Sequence, residues 1–150
     1  MDLWEGRSKL QCITERVFIT NFFGAKNWKL LQQAAVTHVL VCAAELPFVF
    51  EKNGLIYKRL DLADNTTSKL PIAEAVSFVE DALTTDTSVV LIHCAAGSSR
   101  SGAIAVALLM RRENLAFHEA LQRAQQIRPV ILPNPGFVEQ LQEWGKGQMK

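Results

Sequence analysis

Residues 89–102 read Val-Val-Leu-Ile-His-Cys and then Ala-Ala-Gly-Ser-Ser-Arg-Ser-Gly. Three of these side chains have types suited to covalent chemistry on an oxyanion. Cys94 can act as a nucleophile, Arg100 presents a planar fork of donors that fits two phosphate oxygens, and the Ser101 hydroxyl can hydrogen-bond a sulfur anion. Between them Ala95, Ala96, Gly97, Ser98 and Ser99 are all small, and Gly97 lets the backbone curl so that successive N–H groups converge on one ligand. The apolar, β-branched run before His93 has the character of a buried strand, and residues 101–112 continue without a breaker after Gly102 as a mostly apolar helix. Cys94 therefore ends a strand and residues 95–99 lead into a helix N-terminus. The first amides of a helix lack internal partners and carry partial positive charge, which favours a bound anion and a thiolate alike.

Other readings of the stretch fail on particular residues. A nucleotide-binding loop needs Lys-Ser/Thr where Ala103-Ile104 stands. A serine-hydrolase elbow needs glycine where Ser101 stands. A lone cysteine would be read as a small buried hydrophobe, but here it shares one strand-loop-helix with Arg100 and Ser101.

The segment from His93 to Gly102 resembles the phosphate-binding loop of the cysteine-dependent dual-specificity protein phosphatases. The tail Arg-Pro-Val-Ile-Leu-Pro-Asn-Pro-Gly-Phe-Val-Glu-Gln-Leu at 128–141 is similar to the C-terminal segment of that family, and residues 16–25 to its first strand and following turn. These matches run in the family's order over residues 15–144. The resemblance implies a protein tyrosine phosphatase-like α/β fold and an aspartate that protonates the leaving oxygen from the loop after the Tyr57 strand. That loop contains Asp61 and Asp64. Asp64 matches better by its offset from the strand and from the next helix, whereas Asp61 reads as a loop or capping carboxylate. The resemblance also gives His93 a supporting role in holding the loop. It brings Asn134 close enough to brace the loop, with helix capping as the equal alternative.

The elements that must position these groups alternate along the chain. Strands are expected at 16–20, 37–43, within 54–62 and at 89–92, and helices at 25–35, 71–83, 101–112, from Phe117 to just before Pro129, and from Asn134 or Pro135 through Trp144. Strands separated by helices imply an α/β fold with a mainly parallel central sheet flanked by helices on both faces. Ligands bind such sheets beyond the carboxyl ends of the strands, where Cys94 falls. Residues 145–150 read as a frayed end, and Arg111, Arg112, Arg123 and Arg128 as a solvated helix surface, with Arg128 able to lie near the site.

At 150 residues, 49% hydrophobic and 21% charged, the chain fits a single domain over 1–150. A net charge of +1 gives no general attraction to nucleic acid or to an anionic membrane. Cys12, Cys42 and Cys94 have neither metal-ligand nor disulfide-framework spacing, which fits free thiols in a reducing compartment. Cys42, in a buried strand, reads as an inert core residue, a resolving thiol being the alternative. Met1–Glu5 lacks the features of a signal peptide or a myristoylation site, and no apolar stretch reaches spanning length. These features place the chain in the cytoplasm, at a size that permits nuclear entry; none of them sets an oligomeric state.

The expectation is a hydrolase, a dual-specificity protein phosphatase acting on phosphotyrosine and phosphoserine/threonine through a phosphocysteine intermediate. Cys94, Arg100, Asp64 and Ser101 would carry the chemistry and 95–100 would hold the phosphate, with no metal or organic cofactor and a phosphorylated protein as substrate. The alternatives are a phosphatase for a phosphoinositide, glycan or RNA end, a non-catalytic phosphate-binding module, or a scaffold that only keeps the fold. The first is disfavoured by the uncharged Ala95, Ala96, Ser98 and Ser99.

Overall fold

Alternation of apolar side chains along the central strands decides the layering. In a strand, successive side chains point to opposite faces of the sheet. Accordingly Val90 and Ile92 of β5 (Val90–His93) and Leu40 of β3 (His38–Val41) belong to one buried cluster, while Leu91, Val39 and Val41 belong to another. The structure, a computed structural model, describes residues 6–148, so the reading of Met1–Glu5 lies outside the described residues.

The five strands run in the order β1-β2-β5-β3-β4, with β1 at Gln11–Thr14, β2 at Val17–Thr20 and β4 at Ile56–Arg59. β2, β5, β3 and β4 are mutually parallel, and β1 pairs antiparallel with β2. Register places Thr20 and Val41 opposite His93, and Arg59 opposite Val41, so four strands end level with one another. Every loop that leaves this edge, after Thr20, Val41, Arg59 and His93, opens toward the same space.

The larger core cluster lies on the face covered by α3 (Ile72–Leu83), α4 (Arg100–Arg112), α5 (Phe117–Ile127) and α6 (Pro135–Gln148). α4 is buried from Arg100 to Met110, as a helix enclosed by neighbours on its sides must be. The smaller cluster is covered by α1 (Phe22–Ala25), α2 (Trp28–Gln33) and the aromatic loop that carries Phe48 and Phe50.

Three expectations change. The helix expected at 25–35 is two short helices, because Asn21 and Asn27 each turn a side-chain oxygen back onto an amide three residues on, and each starts a helix of its own. Strand β1 was not anticipated. A turn places Arg16 at φ 63, and its guanidinium donates to the carbonyls of Leu83, Thr85, Asp86 and Ser88, tying this hairpin to the end of α3. Finally, α6 continues through 145–148 instead of fraying there.

Candidate active site

Strand β5 delivers Cys94 to the carboxyl edge of the sheet, 2% exposed, with Sγ 3.1 Å from the Ser101 hydroxyl at the start of α4. The intervening loop is shaped by what happens to its carbonyls. That of Ala95 accepts from the Phe22 amide at 2.9 Å, Ala96 from Arg128 Nη2 at 3.3 Å, Gly97 from Arg128 Nε at 2.8 Å and Ser98 from the Leu132 amide at 3.2 Å. A trans peptide points its N–H opposite to its carbonyl. Four consecutive carbonyls tethered outward thus turn the amides of Ala96, Gly97, Ser98 and Ser99 inward, where an oxyanion would be held. Gly97 sits at φ 66 and a Cβ there would lie 2.7 Å from the Thr20 carbonyl oxygen, so both conformation and space demand glycine. No side chain caps α4, which leaves its first-turn amides for a ligand.

Arg128 corrects the expectation of a solvated surface. It is 1% exposed and lies beneath the loop, held by Gly97, Ala96 and, at 2.7 Å, the Gln11 side-chain oxygen of β1. Burial lowers its pKa to about 10, so it remains a cation at neutral pH.

Arg100 enters the same space from the first turn of α4. Its Nη1 and Nη2 donate to the two carboxylate oxygens of Glu45 at 2.7 and 2.8 Å, and Nη1 also donates to the Leu62 carbonyl at 3.2 Å. The bonds with Arg100 hold the Glu45 carboxyl below the usual carboxylate range, and those with Glu45 raise Arg100 further. Glu45 did not stand out in the sequence. The available signal was its place just after a strand parallel to β5, where the register brings its loop to the same edge.

Asp64, on the loop after β4, is joined to the phosphate loop. One of its oxygens accepts from the Ser99 hydroxyl at 2.7 Å and from the Asn134 side-chain amide at 3.0 Å. The Asn134 side chain caps α6 and bonds the loop that carries Asp64, whereas the phosphate loop is met only by its backbone N–H, which donates to the Ser99 hydroxyl at 3.1 Å. The side-chain amide also donates to the Asn65 carbonyl, and its oxygen accepts from the Phe137 amide at 3.0 Å as a cap of α6. Asp61 is exposed, and none of these bonds among the described residues involves it. His93 is 1% exposed with Nδ1 3.3 Å from the Cys94 carbonyl, and burial lowers its pKa to about 4, which leaves the ring neutral at pH 7. Cys42 is fully buried and its thiol is pushed well above the usual range, first by desolvation. Cys12 is exposed, with Sγ donating to the Thr14 carbonyl.

A mostly parallel sheet whose carboxyl edge presents a cysteine, a loop of inward amides and an arginine at a helix start forms a site suited to an oxyanion. The chain belongs to the family described as "Dual specificity phosphatase, catalytic domain", whose model matches residues 17–147. It is 34% identical over 146 residues to dual specificity protein phosphatase 1B of Arabidopsis thaliana, covering 96% of this chain and 86% of that protein. Among mouse proteins it is 36% identical over 146 residues to dual specificity protein phosphatase 14, across 92% and 72% of the two chains. The crystal structure of human DUSP28 superposes with a TM-score of 0.87 at 26% identity, covering 94% of this chain and 95% of that one. That of human tyrosine phosphatase-like serine/threonine/tyrosine-interacting protein gives 0.87 at 29% identity, covering 96% and 100%. The protein is thus a protein phosphatase of the dual-specificity family.

Proposed function

We propose that the chain hydrolyses phosphotyrosine and phosphoserine/threonine monoesters of proteins in two displacements at Cys94. In the first, the Cys94 thiolate attacks phosphorus, an S–P bond forms, and the P–O bond to the side chain breaks with its electron pair leaving on oxygen. Asp64 gives that oxygen a proton, while the amides of 96–99 and Arg100 hold the equatorial oxygens. In the second, the Asp64 carboxylate takes a proton from water as it attacks phosphorus. The S–P bond then breaks, the thiolate returns and inorganic phosphate leaves. The Ser101 hydroxyl, 3.1 Å from Sγ, stabilises the departing sulfur anion. The chemistry as written uses no metal or organic cofactor.

The observation that carries this reading is the hydrogen bond that joins the candidate acid to the loop following Cys94. Ser99, in the loop that begins at Cys94, donates to Asp64 at 2.7 Å, so acid and loop share a frame. The fold alone does not secure turnover, as it is shared with a protein described as tyrosine phosphatase-like; the retained Cys94, Arg100 and Asp64 are what favour an enzyme. The loop residues 95–99 carry no charged side chain, which suits one phosphate dianion better than an inositol polyphosphate. We assign the activity to the cytoplasm, with entry to the nucleus by size.

A panel of phosphopeptides and phosphoinositides at matched concentration tests the reading. Phosphopeptides should be preferred in kcat/KM, with phosphotyrosine fastest and with inhibition by vanadate. A phosphoinositide outperforming every peptide would overturn the substrate class. Covalent trapping of phosphate on Cys94 in an acid-quenched reaction tests the intermediate.

A further inference from the structure

The loop that carries Asp64 is anchored at its ends and held in between by few bonds. Leu62 and Leu70 are buried, whereas Ala63, Asp64, Asn65, Thr66 and Thr67 are all exposed. A run that buries so little is ordered chiefly by its hydrogen bonds. Some of these lie within the loop, where Asn65 Oδ1 accepts from the Thr67 amide and from the Thr67 and Ser68 hydroxyls. Asn134 ties residues 64 and 65 to the start of α6. Beyond Asn65, among the described residues, every side-chain bond from 66–70 to another part of the chain comes from Gln140 of α6. Its Oε1 accepts from the Leu70 amide at 2.7 Å, and its Nε2 donates to the Ser68 carbonyl at 2.9 Å. The second proton of Nε2 goes to the Gly136 carbonyl, 3.2 Å away on the same helix. This half-buried side chain thus meets a donor and an acceptor of the loop at once, which neither an ionised carboxylate nor an apolar group of its size can do. One turn earlier, the Thr66 carbonyl occupies the space that a Cβ on Gly136 would need.

We propose that Gln140 is a positioning residue for the acid: by pinning Ser68 and Leu70 it fixes the span of loop left to Asp64, and so the fraction of time Asp64 stands ready to protonate the leaving oxygen. The proposal rests on the reading of Asp64 as the acid and extends it to a side chain that makes no bond to Asp64. If Gln140 served only to close the entry to α3, whose first turn has no side-chain cap, its loss would lower stability and slow all substrates alike.

The test compares phenyl phosphate, a poor leaving group, with a nitrophenyl ester in Gln140→Leu and Gln140→Glu, each also combined with Asp64→Asn. Gln140→Leu removes both loop bonds and should lower kcat on phenyl phosphate by about threefold to tenfold, the range that two neutral hydrogen bonds supply. The nitrophenyl ester, which needs little protonation, should change by less than about twofold. KM should stay within about twofold for both, because Gln140 makes no bond to the phosphate loop. Gln140→Glu keeps an acceptor for the Leu70 amide and loses both donors, so it should slow phenyl phosphate in the same sense, and it carries the comparison if the leucine variant does not fold. Urea unfolding gives the folded fraction, and rates are taken per folded molecule. In the Asp64→Asn background neither change should slow phenyl phosphate further, since both act through one group. No slowing, equal slowing of the two esters, or a further loss in the Asp64→Asn background would overturn the positioning role while leaving Asp64 as the acid. An Asp64→Asn enzyme without any leaving-group dependence would overturn the acid reading and the proposal with it.

Discussion

The carboxylate of Asp64 has two donors on one oxygen, from Ser99 and from Asn134, and in the proposed mechanism its other oxygen would carry the proton to the leaving group. A leaving oxygen of high pKa needs protonation and one of low pKa does not, so Asp64→Asn should slow phenyl phosphate or a phosphopeptide by roughly 10²–10³-fold while costing a nitrophenyl ester far less. Asn134→Ala should reproduce that leaving-group dependence in weaker form, as should Ser99→Ala, whereas Asp61→Asn should show none; rates plotted against leaving-group pKa decide. Cys94→Ser should leave under about a hundredth of the turnover, because the covalent route is lost, while the protein still binds vanadate or phosphate. Glu45 grips both terminal nitrogens of Arg100 and so sets the direction of its fork. Glu45→Gln should raise KM for an aryl phosphate by about threefold to tenfold through loss of that charge-assisted pair, read from steady-state kinetics.

At the scale of elements, the site is made by strands that end level and by the loops that leave them. The apolar runs at β3, β5 and α4 and the periodic stripes of α3, α5 and α6 are legible, since buried strands and helices and amphipathic helices each leave a local pattern in sequence. β1 left none: of its four residues only Ile13 is buried, and its single partner is β2. Arg100 and Cys94 could be found because one turn holds both, but Glu45 lies 55 residues from Arg100 and Arg128 lies 31 from Gly97. Contacts of that range depend on register and packing, which composition does not encode. Arg128 departs from the solvated-surface reading and takes the alternative near the site, because three acceptors accompany it into the core where a charged residue near other arginines usually faces water. The junction of α6 with the acid loop yields a prediction of the same kind. A Cβ on Gly136 would collide with the Thr66 carbonyl, so Gly136→Ala should displace the loop carrying Asp64 and slow poor leaving groups more than activated ones. An equal effect on both would place its action elsewhere.

At the scale of the whole molecule, buried His93 should make stability depend on pH, alongside Glu45 and His38, whose values also lie below the ordinary ones. The ordinary histidine pKa of 6.5 applies to the unfolded chain, and burial lowers the folded value to about 4. Between those values the unfolded chain binds the extra proton, so stability is complete above 6.5 and is lost as pH falls toward 4. From pH 7.5 to pH 5 that loss should come to about 2 kcal/mol, measured by urea unfolding, and a His93→Asn variant, whatever its starting stability, should lose correspondingly less over the same interval. The frame that holds the acid also has a consequence for timing. Asp64 is fixed by the protein's own hydrogen bonds to Ser99 and Asn134, which join the acid loop, the phosphate loop and α6 at one point. If the acid works from the place these bonds give it, with no loop closure to wait for, friction from an added viscogen should leave kcat on a slow aryl phosphate unchanged, and a kcat that falls in proportion to viscosity would show a motion or release step setting the pace.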